Sequence, residues 1–180
     1  WEGARRLRSL GHRVASPVML MHDKRRRSRS QILVLPSVEG VSLHDYLRRA
    51  SKRGGPMLTD HTERRHIATA IGRQVRSLLA SGVVNAAHTA GHLLIDETCR
   101  TGQAGPVITH AGSLASGHGD RAAHRMLADL WRSTKDAGYV SSREAIRCVR
   151  AALGADGKRA QRRKRLRDAL RRIEAYARSC

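Results

Sequence analysis

The stretch Gly82-Val83-Val84-Asn85-Ala86-Ala87-His88-Thr89-Ala90-Gly91-His92-Leu93-Leu94-Ile95-Asp96 decides how this chain is read. Upstream of it, Ile67, Ile71, Val75 and Leu78 recur at helical spacing. A long helix is therefore expected, capped at Thr59 and stopped at Gly82. Inside the stretch, Val83–Asn85 and Leu93–Ile95 are short apolar runs on either side of a polar loop, and both read as extended. Downstream, turn-rich Glu97–Pro106 leads to a further strand at Val107–Thr109. The order is long helix, short strand, polar loop, short strand, turn, strand.

Working outward, Trp1–Leu10 reads as the end of a helix stopped by Gly11. Pro17–Met21 and Gln31–Leu35 read as strands around a basic hairpin loop, and Ser42 as the cap of a short helix through Arg49. On the far side, Asp120–Asp136 places Met126, Leu127, Leu130 and Trp131 on one helical face. Ser141 or Ser142 caps a helix over Arg143–Leu153. The last helix, Asp156–Ser179, carries the stripe Leu166, Leu170, Ile173 and Ala177. Strands come early and helices dominate later, so the expected class is α+β with a helical majority.

The chain has 180 residues and 40% hydrophobic content, enough for one domain with a real core. Aromatics make up only 3% and Phe is absent, so that core must be aliphatic. No apolar run approaches the length of a membrane span. Three cysteines without paired spacing (Cys99, Cys148 and Cys180) argue against a disulfide framework and a zinc site, and point to a reducing compartment. Thirty-five Lys plus Arg against fifteen Asp plus Glu leave a net charge of +20, a surface that attracts polyanions.

The segment from Gly82 to Asp96 resembles the catalytic loop of the lipopolysaccharide (Kdo/heptose) kinase family, a branch of the protein-kinase-like superfamily. That family reads His-Arg-Asp, four residues, then His, then an apolar strand. Aligned on His92, the family's Asp falls on Ala87 and its His-Arg on Asn85-Ala86. Val107-Ile108-Thr109-His110-Ala111-Gly112 occupies the place of the Asp-Phe-Gly motif, with His110 at the Asp and Gly112 at the Gly. Trp1–Leu7 resembles the small-lobe helix whose Glu, here Glu2, pairs with the ATP-binding Lys. Ile32–Gly40 resembles the last small-lobe strand and the hinge, where Glu39 would face the nucleotide. Ala128–Ser133 resembles the core helix whose Asp, here Asp129, holds the catalytic-loop backbone. The resemblance implies a partial small lobe and hinge over residues 1–40 and a helical large lobe over 41–180. The Gly-rich loop and strand Lys of the family are absent. The chain opens on Trp1 and not Met, so its natural start is expected upstream.

The resemblance also implies ATP and Mg²⁺ as cofactors, and transfer of a phosphoryl group to a sugar hydroxyl. Such transfer needs positioning and charge neutralisation. Ala87 supplies no proton acceptor, a loss worth roughly 10²–10⁴-fold. His110 replaces a carboxylate, and imidazole suits softer metals than Mg²⁺. His92 alone stands where the family keeps a metal-binding His. The expectation is a kinase-like protein with impaired catalysis. Asp96, just past the Leu93–Ile95 strand, and Asp120, after a Gly-rich loop, are the candidate substitutes, although surface Asp residues are ordinarily just solvated. His88, His92 and His110 would make a soft-metal cluster if they converged. Their spacing fits no zinc pattern, and polar loop histidines are the simpler reading.

The alternative is a non-catalytic binding module. The last helix has one apolar side and is otherwise strongly basic. That suits an anionic glycolipid or membrane surface, for a cytoplasmic protein peripheral to the inner membrane. A core-docked helix with a wet basic back is the simpler reading. Nucleic acid is the less favoured partner, since aromatics for stacking are few and no helix-turn-helix or zinc signature appears.

Overall fold

The computed structural model describes residues 2–15, 17–22, 31–52, 60–111, 114–135, 137–138, 140–154 and 159–178. Helix α1 (Glu2–Ser9) buries Ala4 and Leu7, one turn apart on one face. Strands β1 (Met19–His22) and β2 (Gln31–Val34) pair antiparallel, with Met19 opposite Val34. Helix α2 (Leu43–Lys52) starts where the Asp45 amide donates to the Ser42 hydroxyl at 3.0 Å, the expected cap.

Helix α3 (His61–Ala80) buries Ile67, Ile71, Val75 and Leu78, the four residues whose spacing foretold it. Its cap is Asp60, whose carboxylate accepts from the Thr62 amide at 2.7 Å. Thr59, the expected cap, lies outside the described residues. Gly82 follows with φ of 71°, a left-handed conformation that a side chain would disfavour. The chain then turns straight into β4 (Val83–Asn85).

Two further small sheets carry the loop region. Strands β3 (Val41–Ser42), β5 (Leu93–Ile95) and β6 (Val107–Ile108) form one antiparallel sheet in the order β3-β5-β6. Strand β4 pairs with β7 (Leu114–Ser116) in the other. Their central residues have no polar face to offer: Val83, Leu93, Ile95 and Ile108 are essentially inaccessible to solvent. A short helix, α4 (Glu97–Arg100), separates β5 from β6.

Helices α5 (Gly119–Lys135), α6 (Ser142–Leu153) and α7 (Arg159–Arg178) complete the chain. Ser141 is the cap of α6, in a reciprocal capping box with Glu144. Ala169, Ile173 and Ala177 of α7 are buried, so this helix docks on the core with its basic back exposed. One continuous apolar cluster runs from Ala4 and Leu7 through α3, α5 and α6 to Ala177. No helix among the described residues is long and apolar enough to cross a membrane.

Candidate functional site

The two segments that matter meet at the ends of β4, β5 and β6. Asn85 ends β4 and is fully buried. Its side-chain carbonyl accepts from the Ala87 amide at 3.1 Å, which turns the chain out of the strand. Its amide donates to the His110 carbonyl oxygen at 3.2 Å, which ties that loop to the end of β6. One side chain thus fixes both segments. Buried polar groups require such partners, so Asn85 has little freedom to move.

His92 sits on the 3-10 turn Ala90–His92 that leads into β5. Its Nδ1 lies 3.1 Å from the Thr89 hydroxyl and 3.2 Å from the Ala87 carbonyl oxygen. The Thr89 amide also donates to that carbonyl, at 2.8 Å. The backbone at Ala87 is therefore held firmly, although Ala87 brings no functional group of its own. On the other side, the Thr109 amide and hydroxyl both donate to the His92 carbonyl oxygen, at 3.0 and 3.2 Å. This pairing brings the His110 ring over the His92 ring, with centroids 4.8 Å apart and planes 25° from parallel. Sequence reasoning named both histidines, and the fold brings them together.

His88 turns out differently. It is fully buried, and neither ring nitrogen has a hydrogen-bond partner among the described residues. Burial alone pushes its imidazole down to about 4, so it is neutral at physiological pH. It is a core residue and not a solvated loop histidine. Among the described residues no group of three metal-donor side chains exists, so His88, His92 and His110 do not form a cluster.

Asp129 was expected to hold the loop backbone. The bond from α5 to the loop is made instead by Ser133, whose hydroxyl accepts from the Ala90 amide at 2.8 Å. Asp129 faces Arg132, 3.7 Å away on its own helix. Burial, opposed by Arg132, moves its carboxyl above the ordinary value. Ser133 lies one helical turn further along, and a hydroxyl reaches an amide at lower desolvation cost than a carboxylate.

The two acids that might have substituted are both engaged elsewhere. Asp96 caps α4 through the Cys99 amide and meets Arg13 Nη2 at 2.5 Å. Burial works against its charge, but Arg13, the Cys99 amide and the Thr98 hydroxyl outweigh it and hold the carboxyl down to about 2. Arg13 also donates to the Thr98 hydroxyl and to the Gly105 carbonyl, closing the β5–β6 connection. Asp120 is in a two-point ion pair with Arg165 of α7. Glu2 and Glu39 are exposed, and neither has a hydrogen bond or ion pair among the described residues. Gly112 lies outside those residues.

Helix α1 closes on this site through Gly3. A methyl on Gly3 would fall 1.7 Å from the Ala111 carbonyl oxygen, so the helix backbone rests directly on the segment after His110. The donor set does not fit Mg²⁺. Ala87 brings no donor atom and His92 and His110 bring imidazoles, from which a hard cation gains little.

No protein-family model matches the sequence, and no curated protein matches it. The fold does have solved counterparts. One is a structure of WaaP in complex with acyl carrier protein, which matches at a TM-score of 0.70 with 19% identity. The match covers 98% of this chain and 73% of that one. At that identity the likeness speaks for architecture: the chain has a WaaP-like kinase fold, α+β, with a dominant helical lobe and small sheets.

Proposed function

We propose that this protein is a member of the lipopolysaccharide kinase lineage in which the cleft is kept as a folded scaffold and phosphoryl transfer is impaired. One observation carries the reading. Asn85, His92 and Thr109 hold the two central segments together, yet the positions they hold present Ala87 and His110 where the family carries carboxylates, with the His110 ring stacked on His92. Scaffold hydrogen bonds of this kind support a retained architecture. The missing acceptor and missing hard-metal ligand support lost chemistry.

Residues 1–40 in this reading are the remnant of a small lobe. The exposed apolar side chains Val18, Met19, Met21 and Leu35 support it, since they line the β1–β2 ribbon where further strands would pack. The ATP-binding Lys would come from such strands, and Glu2 on α1 would be its partner. The test is ATP turnover by the protein expressed from its natural start. Wild type is expected to show no turnover above background. Ala87→Asp combined with His110→Asp is expected to restore it, provided that the nucleotide site is complete. Turnover at an ordinary kinase rate by wild type would sink the proposal.

A further inference from the structure

A concentration of arginines among the described residues lies in a groove of about 940 Å³ between α3, α6 and α7. Arg73 and Arg76 enter it from α3, and Arg143, Arg147 and Arg150 from α6. The α3 pair is three residues apart and the α6 set repeats at four and three, so each helix turns its arginines from one face into the same channel. Arg159 and Arg163 of α7 supply the third wall. They also line a second groove of about 590 Å³ that continues along α7 to Arg167. None of the seven arginines in the first three sets has a hydrogen bond or ion pair among the described residues. Arg165, which also lines the groove, is paired with Asp120, and no acidic or aromatic residue lines it among the described residues.

Like charges crowded at this density repel, and the seven arginines have no acidic partner among the described residues. We propose that this channel is a binding site for the phosphate backbone of a single-stranded nucleic acid. Three features favour that occupant over an anionic bilayer. The arginines face one another across a concavity, whereas a flat membrane surface reaches only its rim. The two grooves share Arg159 and Arg163, so the basic lining extends along α7 to Arg167, which suits a linear polyanion. Guanidinium groups pair bidentately with phosphate oxygens, and four helical residues space them by about 6 Å, comparable to successive phosphates of an extended strand. Ile146, Leu153 and Leu166 give the channel an aliphatic floor that tolerates any base. With no ring to stack on, recognition is through the backbone and independent of sequence.

The test is fluorescence anisotropy with labelled 20-nucleotide single strands, one of deoxythymidine and one of mixed sequence. Both should bind equally. With about five phosphates neutralised, affinity should fall roughly 100-fold between 50 and 200 mM salt. The triple variant Arg73→Gln, Arg147→Gln, Arg163→Gln should bind far more weakly, with a log–log salt slope shallower by about 2. Because it relieves repulsion, it should melt no lower than wild type. Lysine at the same three positions should keep the wild-type slope, which separates lost charge from lost folding. Arg5→Gln, Arg8→Gln, Arg49→Gln removes the same charge from exposed sites outside the channel, and should bind as wild type does. Equal loss in both glutamine triples would overturn the site, because diffuse charge would then explain binding. So would an absence of oligonucleotide binding at 50 mM salt, whether or not phosphatidylglycerol vesicles bind. Competition by polyglutamate as effective as that by the oligonucleotide would overturn the assignment to phosphate.

Discussion

The seam between α3 and α6 and the loop region at the ends of β4, β5 and β6 are built in different ways. The seam is a close backbone contact. A methyl on Gly72 would fall 2.2 Å from the Cys148 carbonyl oxygen, 2.7 Å from the Ala151 methyl and 3.1 Å from the Ala152 amide, so the two helices meet almost backbone to backbone. At one end of that seam Arg64 and Glu144 form a buried two-point ion pair, while Glu144 also completes the capping box of α6. The loop region also has a close backbone approach, Gly3 of α1 against Ala111, but its segments are tied by hydrogen bonds from Asn85, Thr89, Thr109 and Ser133. The difference teaches that the helical lobe is locked by a buried ion pair where the loop relies on neutral hydrogen bonds. The loop's chemistry can therefore change without unfolding the protein.

That contrast can be broken most severely at Glu144. Glu144→Ala removes the carboxylate paired with the Arg64 guanidinium, whose side chain is 5% exposed, and half of the capping box. The expected loss is about 3–5 kcal/mol in denaturant unfolding. A loss below about 1 kcal/mol would mean that the pair is solvated and the seam is not anchored there. Burial raises the Glu144 carboxyl, but Arg64 and the Ser141 backbone outweigh it and lower it overall. Its stabilisation is thus present above the ordinary carboxylate value and is lost as pH falls through the depressed one.

The second effect belongs to the loop. His88 has a folded-state value of about 4 against 6.5 when free. On acidification the unfolded chain takes the proton first, so the contribution is complete above about 6.5. It declines between 6.5 and 4 by about 3 kcal/mol. The buried imidazoles of His12 and His124 are lowered too and act in the same direction. Unfolding free energies across that interval should show the decline, and His88→Leu should flatten it. An unchanged slope in His88→Leu would place the titration elsewhere.

A smaller change sharpens the comparison from the seam side. Gly72→Ala forces α3 and α6 apart at a backbone contact that cannot rotate away, at a cost of about 2 kcal/mol. The smallest is in the loop. Ala87→Asp lies at a partly exposed position whose backbone is already fixed, so stability should change by less than about 0.5 kcal/mol. If thermal melting showed these two effects reversed, the division between seam and loop would be wrong.

Much of this was legible in the sequence, and what was not shares one physical cause. Helix α3 and strands β4 and β5 follow from local periodicity and from Gly82, which acts within a few residues. The stacking of His92 on His110 did not, because the simpler reading of both was as polar loop residues and the contact joins positions 18 apart. Arg13 went unremarked because its partner Asp96 lies 83 positions away, and no local pattern announces such a bond. Ser133 was passed over for Asp129 because a hydroxyl on a helix usually bonds its own backbone, as Ser133 also does to Leu130. His88 looked like one more polar loop residue until the fold enclosed it. The arginine channel escaped notice for a related reason. Its stripes come from three helices, and only the last looked basic by itself.

The measurement that tests the central claim most directly is thermal melting with ATP, with and without Mg²⁺, on wild type and on the Ala87→Asp, His110→Asp double variant, each expressed from its natural start. The account predicts no Mg²⁺-dependent stabilisation of wild type and a clear one in the variant, where two carboxylates return to the cleft. Mg²⁺-dependent stabilisation of wild type as large as that of the variant would contradict it, because the histidine-lined cleft would then hold the metal complex as it stands.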